Sequence, residues 1–340
     1  MKILHIIPNL HIGGAQRSLL NIIKSLPTYQ HYIFSCENEW PISRLNQAIY
    51  LDTSTHDIFN VITKIRPQII HFQWWPAYNL PNLIILRKRF KWNFKVLVTI
   101  QDPTPLNVDV ADYYVACGTY VNKIQKNILR DKIVTIPDFI DISEFTKINP
   151  VEHQEINIVR HSMIFPNKLD YEILRKTNCN IEILSKRFEK KINFIVCGDG
   201  NEYKKELERY VKKKQLKHIK FVDGSCMKEV LSQGDIYLYN TPRIESEGFA
   251  NVISEAEAAA LPIIADNRGG NMEQVVDGYN GYLVDNYDEQ LGALEKLLDP
   301  IKRKKFAKRS RKKVMATGGL QTLGAKYNKV YKHLLTKEIR

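Results

Sequence analysis

Short apolar, β-branched runs alternate along this chain with longer segments in which apolar residues recur every three or four positions. The runs are Ile3 to Pro8, Tyr32 to Cys36, Ile69 to Phe72, Val96 to Ile100, Tyr113 to Cys117 and Ile133 to Ile136. Apolar runs separated by helical segments predict a parallel sheet, buried on both faces and joined by crossover helices. Pro137, Asp138, Asn149 and Pro150 then interrupt the periodicity between Pro137 and Glu155. The pattern restarts with Ile156 to Val159, Asn193 to Cys197, Ile219 to Val222, Ile236 to Tyr239, Pro262 to Ala265 and Gly281 to Val284. The chain therefore reads as α/β, with two Rossmann-like units over 1–150 and 151–320. A C-terminal helix over 321–340 is expected to pack back towards the first unit. In open parallel sheets ligands bind outside the carboxyl ends of the strands, so the two sets of strand ends are expected to face each other across a ligand cleft.

Composition narrows the picture. With 340 residues, 44% hydrophobic and 26% charged, the chain can bury two cores and is not a disordered one. The five cysteines are scattered with no C-x-x-C spacing, which indicates neither a disulfide framework nor a thiolate zinc site and fits a reducing compartment. Met1 to Pro8 reads as a first strand and not as a signal peptide, so a cytoplasmic location is expected. No apolar run reaches the roughly eighteen residues of a membrane span, so membrane contact is expected to be peripheral, on the inner face of the cell membrane. The net charge of +13 favours an anionic partner: nucleic acid, an acidic membrane face or a phosphorylated substrate. Nucleic acid is set aside, since no recognition helix or RNA-binding signature is found.

The most informative segment runs from Tyr239 to Val284. A strand ends at Tyr239, and Gly248-Phe249-Ala250-Asn251 opens a helix that carries Glu255 and stops at Leu261-Pro262. Free N–H groups and the positive helix end at Gly248, Phe249, Ala250 and Asn251 suit a diphosphate. Glu247 and Glu255, with seven residues between them, can accept hydrogen bonds from sugar hydroxyls. The plainer reading of the pair is a capping acid and an exposed helical glutamate.

Together with IPNLHIGGAQRSLLNI, VLVTIQDPTPL, VTIPDFIDISEF and VCGDGNEYKKEL, the E-x7-E block resembles glycosyltransferase family four, the retaining enzymes of GT-B fold. The resemblance extends over nearly the whole chain. It implies that Glu247 contacts donor hexose hydroxyls, that the amides of Phe249, Ala250 and Asn251 meet the sugar or distal phosphate, and that Glu255 binds the ribose. Gly13 and Gly14 would let backbone approach the donor phosphate or acceptor, although alone a Gly-Gly pair is only a tight turn. Arg160 and Lys168 would neutralise the leaving diphosphate; their loop looks like a longer form of the family's Arg-to-Lys loop, with Val159 where a glycine is usual. Solvated loop cations are the alternative for both. The base wall is placed at Gly198 to Gly200 and Asp223 to Met227, with uracil and guanine undistinguished.

No D-x-D occurs and the histidines lack ligand spacing, so no metal and no cofactor beyond a UDP- or GDP-linked sugar is expected. Many family members carry a histidine where this chain has Gln101, followed by Asp102; a glutamine can orient a hydroxyl but cannot act as a base. His71 is placed facing the cleft, with Trp74 and Trp75 as an acceptor surface or as core. The basic segment LPNLIILRKRFKWNFK, with Arg87, Lys88, Arg89, Lys91 and Lys95, suits an anionic membrane surface or a crossover helix with a solvated end. The resemblance thus implies transfer of a hexose or N-acetylhexosamine to a glycan or lipid-linked acceptor in cell-surface polysaccharide synthesis. A catalytically silent nucleotide-sugar or glycan-binding subunit, or a sugar-nucleotide epimerase, are the alternatives.

Overall fold

In the computed structural model the apolar runs are strands, and the first of them, Lys2–Ile7 (β1), is buried at every position but its first. The structure describes residues 1–11, 13–36, 45–52, 57–74, 88–90, 94–106, 109–148, 150–151, 153–200, 202–244 and 246–336, with Asp52 and Trp74 by backbone alone. The chain divides into Met1–Ile140 with Gly318–Arg340, and Asp141–Thr317, where the sequence pattern put the divisions at 150 and 320.

In the first unit β1 is followed by α1 (Gly14–Ser25), β2 (Gln30–Ser35), β3 (Ala48–Asp52), α2 (Ile58–Ile65), β4 (Ile69–Trp74), β5 (Lys95–Ile100), β6 (Tyr113–Ala116), α3 (Thr119–Leu129) and β7 (Ile133–Thr135). The strands are parallel in the order β3-β2-β1-β4-β5-β6-β7. β3 is a strand the hydrophobic pattern did not predict. It is a five-residue edge strand whose Ile49 is 55% exposed; its apolar run Ala48-Ile49-Tyr50-Leu51 is short and is not buried on both faces as the central strands are.

The second unit comprises α4 (Ile142–Thr146), β8 (Ile156–His161), α5 (Tyr171–Phe188), β9 (Ile192–Cys197), α6 (Glu202–Lys213), β10 (Ile219–Val222), α7 (Met227–Ser232), β11 (Ile236–Tyr239), α8 (Asn251–Ala258), β12 (Ile263–Asp266), α9 (Asn271–Gln274), β13 (Gly281–Val284), α10 (Tyr287–Leu297) and α11 (Pro300–Met315). Its parallel order is β10-β9-β8-β11-β12-β13. Local signals set the helix ends: Asp170 accepts from the Ile173 amide at 2.8 Å to start α5, and Asp299 accepts from Ile301 at 2.9 Å ahead of α11, whose first residue is Pro300. Ile158, Phe194, Val196, Ile236, Leu238 and Ile264 form the sheet side of a core that α5 and α10 cover.

The last helix, α12 (Gly319–Thr336), belongs to the first unit. Leu323, Tyr327, Val330, Tyr331 and Leu334 bury against Ile3, Ile22, Ile69, Leu97 and Val115. Gly324 permits the close approach to α1, because a Cβ there would lie 2.4 Å from the Ser25 carbonyl oxygen. Each such aliphatic side chain contributes roughly 1.5–3 kcal/mol by burial. No helix among the described residues is long and apolar enough to cross a membrane.

Both strand orders reverse direction once, between β1 and β4 and between β8 and β11. At such a switch point the crossover helices leave to opposite faces and open a crevice at the carboxyl ends.

Candidate active site

In the second unit the switch point carries a cluster of charged side chains. Arg160, next to last in β8, is fully buried. Its guanidinium donates to the Asn240 carbonyl just past β11, to the Lys168 carbonyl at 2.5 Å and to Ser162 Oγ at 3.4 Å, and it lies 4.7 Å from the Tyr239 ring centre. Among the described residues no carboxylate pairs with it. Arg160 is therefore a fixed interior cation held by carbonyls and a ring face, not a solvated loop arginine.

Lys168, about a third exposed, donates from Nζ to Glu247 Oε1 at 2.5 Å. The same oxygen accepts from the Tyr239 hydroxyl at 2.8 Å. Burial first, and the neighbouring Glu247 second, raise Tyr239 well above the ordinary phenol range, so it remains a donor. Both hydrogen bonds fall on Oε1; Glu247 Oε2 has no protein partner among the described residues.

The loop carrying Glu247 is fixed from behind by Gly269 and Gly270. The Gly270 amide donates to the Glu247 carbonyl at 2.8 Å, and Gly269 has a φ of +58°, which a side chain would strain. α8 then begins with Ala250 as its N-cap, with no side-chain cap and no acid in its first turn among the described residues. One expected donor is corrected here. The Ala250 amide is taken by Gln274 Oε1 at 2.9 Å, while Gln274 Nε2 returns a 2.8 Å bond to the Ala250 carbonyl, so this residue braces the helix start instead of reaching a ligand. No partner for the Gly248 or Phe249 amides occurs among the described residues.

Four residues into α8, Glu255 is 3% exposed and its Oε2 lies 2.6 Å from His161 Nε2 at the end of β8. The segments expected to form the base wall, Gly198 to Gly200 and Asp223 to Met227, also follow strand ends. Gly198 packs on Ser162, whose oxygen would be 1.9 Å from a Cβ, and the Gly224 amide donates to Asp199 at 3.1 Å.

In the first unit α1 starts at Gly14 with Gly13 as its N-cap and no side-chain cap. Gly13 has extended backbone, and an added Cβ would meet only the tip of Gln16. Gln101, just past β5, donates from Nε2 to Asp138 Oδ2 at 3.3 Å, while its Oε1 is buried without a partner. Asp138 also accepts from Ser18 Oγ at 2.7 Å; burial pushes it up to about 6, against the pull of both hydrogen bonds. The sequence reading used Asp138 only as a breaker, although a carboxylate just beyond a strand end was a signal for it. Asp102 caps its own turn, accepting from the Thr104 amide at 2.7 Å.

His71 does not line a ligand site. It is fully buried, with Nδ1 2.9 Å from the Tyr331 hydroxyl and Nε2 2.7 Å from Thr99 Oγ1. Burial, with His31 nearby, lowers it to about 3. The expected strand-end position is corrected as well: β4 continues to Trp74, which leaves His71 in mid-strand on a face that α12 covers. Trp75, Arg87 and Lys91 lie outside the described residues, as does the Trp74 side chain. Among the described residues no group of three or more His, Cys, Asp or Glu gathers as a metal site.

Two parallel sheets with these switch points define the GT-B fold, and solved structures match it over almost the full chain. A glycosyltransferase from Rickettsia africae has a TM-score of 0.79 at 18% identity, covering 99% of each chain. Anabaena HepE, solved with UDP and glucose, has a TM-score of 0.77 at 15% identity, covering 98% of this chain and 100% of that one. Residues 180–313, within the second unit, match the family model Glycosyl transferases group 1. An uncharacterized glycosyltransferase of Methanocaldococcus jannaschii is 36% identical over 116 residues, 34% of this chain and 32% of that protein. The matched stretch thus spans about a third of that curated relative.

Proposed function

We propose that this chain is a metal-independent, retaining glycosyltransferase. It moves a hexose or N-acetylhexosamine from a UDP- or GDP-linked donor to a glycan or lipid-linked acceptor in cell-surface polysaccharide synthesis. The observation that carries this reading is Arg160, a wholly buried guanidinium without a carboxylate partner among the described residues, beside the Lys168–Glu247 pair at the switch point. A leaving diphosphate builds negative charge, and preorganised cations in a desolvated site stabilise it most. In this reading Arg160 supplies the fixed charge and Lys168 the mobile one. Glu247 Oε2 accepts from sugar hydroxyls, the end of α8 with Gly248, Phe249 and Asn251 faces the phosphates, and Glu255 binds the ribose. Gly13 and Gly14 at the start of α1 approach the donor phosphate or the acceptor. The donor's own phosphate takes the acceptor proton on the departing face, so retention needs no protein nucleophile.

Support for an anionic membrane partner comes from α11. Its sixteen residues hold nine lysines and arginines and no acid, and Lys304, Lys305, Lys308 and Lys312 are exposed. A cytoplasmic, peripheral location follows from this reading.

A silent binding subunit is the second reading, favoured by Gln101, whose amide is tied to Asp138 and cannot act as a base. Purified protein incubated with UDP-glucose, UDP-N-acetylglucosamine and GDP-mannose, with and without EDTA, separates the two. Donor turnover that survives EDTA and is lost in Glu247→Ala is expected. Nucleotide binding without hydrolysis or transfer on any acceptor would favour the silent subunit, and an absence of both would remove the assignment.

A further inference from the structure

We propose that His161 is a positioning residue for donor binding, holding the Glu255 carboxylate in the orientation that takes the ribose hydroxyls of a nucleoside diphosphate. The inference rests on the ribose role given to Glu255 above.

Glu255 projects from α8 on three rotatable bonds, and a carboxylate left to sample them must be ordered whenever a ligand binds. In this protein the ordering is built in. His161 Nε2 lies 2.6 Å from Glu255 Oε2, and both side chains are more than nine-tenths buried. The imidazole is itself anchored. His161 closes β8 in register with Cys197, the Tyr237 hydroxyl donates to its carbonyl at 3.0 Å, and the two rings meet edge to face with centres 5.4 Å apart. With Glu255 ionised, Nε2–H donates and Oε2 accepts in this bond.

The bonding of His161 differs from that of the core histidine His71. Both ring nitrogens of His71 have hydroxyl partners in the first unit, whereas Nδ1 of His161 is buried with no hydrogen-bond partner among the described residues. An unsatisfied buried polar atom is destabilising, and the core histidine His5 also leaves its Nδ1 without a hydrogen bond among the described residues, so the open nitrogen alone does not set His161 apart. What distinguishes His161 is its place at the switch point, next to Arg160, with Nε2 committed to a carboxylate.

The test is equilibrium binding, by titration calorimetry on the full chain, of UDP and of 2′,3′-dideoxy-UDP, with GDP and its dideoxy analogue run in parallel. The proteins are wild type, His161→Ala, His161→Gln and His161→Asn, each checked by thermal melting. Wild type should prefer the hydroxylated nucleotide by about tenfold, as losing a charge-assisted hydrogen bond implies. His161→Ala should lose most of that preference while its affinity for the dideoxy nucleotide stays within about twofold, a size of change that a positioning role allows. His161→Gln, whose amide nitrogen reaches about as far as Nε2, should keep the preference in part. His161→Asn, with its shorter reach, should not. Full preference in His161→Ala, or equal weakening towards both nucleotides, would overturn the proposal. Wild type that binds both nucleotides alike would instead reject the ribose role of Glu255, and the proposal with it.

Discussion

Gly270→Ala isolates the part of the active-site argument that depends on backbone packing. Gly270 has a φ of −67°, which any residue adopts, so alanine introduces no torsional strain there. The obstacle is space. A Cβ would sit 2.2 Å from the Gly248 carbonyl oxygen, 2.7 Å from its carbonyl carbon and 3.0 Å from the Phe249 Cα. All three are backbone atoms, so no rotamer change relieves the clash. The loop from Glu247 to Phe249 has to move, and the 2.8 Å bond from Gly270 to the Glu247 carbonyl with it. Overpacking of this kind costs about 1–3 kcal/mol, equivalent to a fall in melting temperature of roughly 2–10 °C for a unit of this size. Displacing Glu247 should also weaken donor binding by at least about tenfold, since sites tolerate little misplacement. Gly278→Ala is the control. Its φ of +70° strains a side chain, yet nothing lies within 4 Å of the Cβ, so it should lower stability by about 1–2 kcal/mol and leave donor affinity intact. Thermal melting and nucleotide titration read both quantities. If Gly270→Ala binds donor like wild type, or the two variants behave alike, the packing argument is wrong.

Removing the two cations should have different consequences. Arg160→Ala leaves the Asn240 and Lys168 carbonyls without their donor and should lower unfolding stability by about 2–4 kcal/mol as well as turnover. Lys168→Ala should lower turnover with less than about 1 kcal/mol lost, as for other partly exposed ion pairs; equal melting shifts would contradict the burial of Arg160. His71 is held neutral when folded and titrates at about 6.5 when unfolded, so stability is full above pH 6.5 and is lost as pH falls towards about 3. His71→Phe should flatten that acid limb in denaturant melts, and an unchanged limb would remove His71 as its source. Asp138 has the opposite sign. Its folded form keeps a proton up to about pH 6 against 3.8 for the free side chain, so its contribution declines as pH rises across that window. The stability difference between wild type and Asp138→Asn should change between pH 4 and 6; a constant difference would refute the shift.

The parallel sheets were legible because strands buried on both faces are written as continuous apolar runs, and twelve such runs lie where the sequence places them. The loop and helix from Tyr239 to Leu261 were legible for a related reason: glycine, proline and alanine act on the backbone within a few residues of themselves. β3 escaped notice because an edge strand needs burial on one face alone, and Ile49 points its apolar side chain at solvent.

Side-chain partners were not legible. His71 was read as a ligand-facing residue at a strand end, but β4 runs on to Trp74 and Tyr331, 260 positions later, covers it. Glu255 was assigned without His161, which lies 94 residues earlier. The Ala250 amide looked available until Gln274 was placed against it, and Asp138 became part of a cluster only through Ser18 and Gln101. Hydrophobic periodicity records which positions leave water, and local residue chemistry records how the backbone turns. Neither records which distant side chain fills a particular hydrogen-bonding position, because that depends on how helices pack over a sheet, and packing is decided by the whole chain at once.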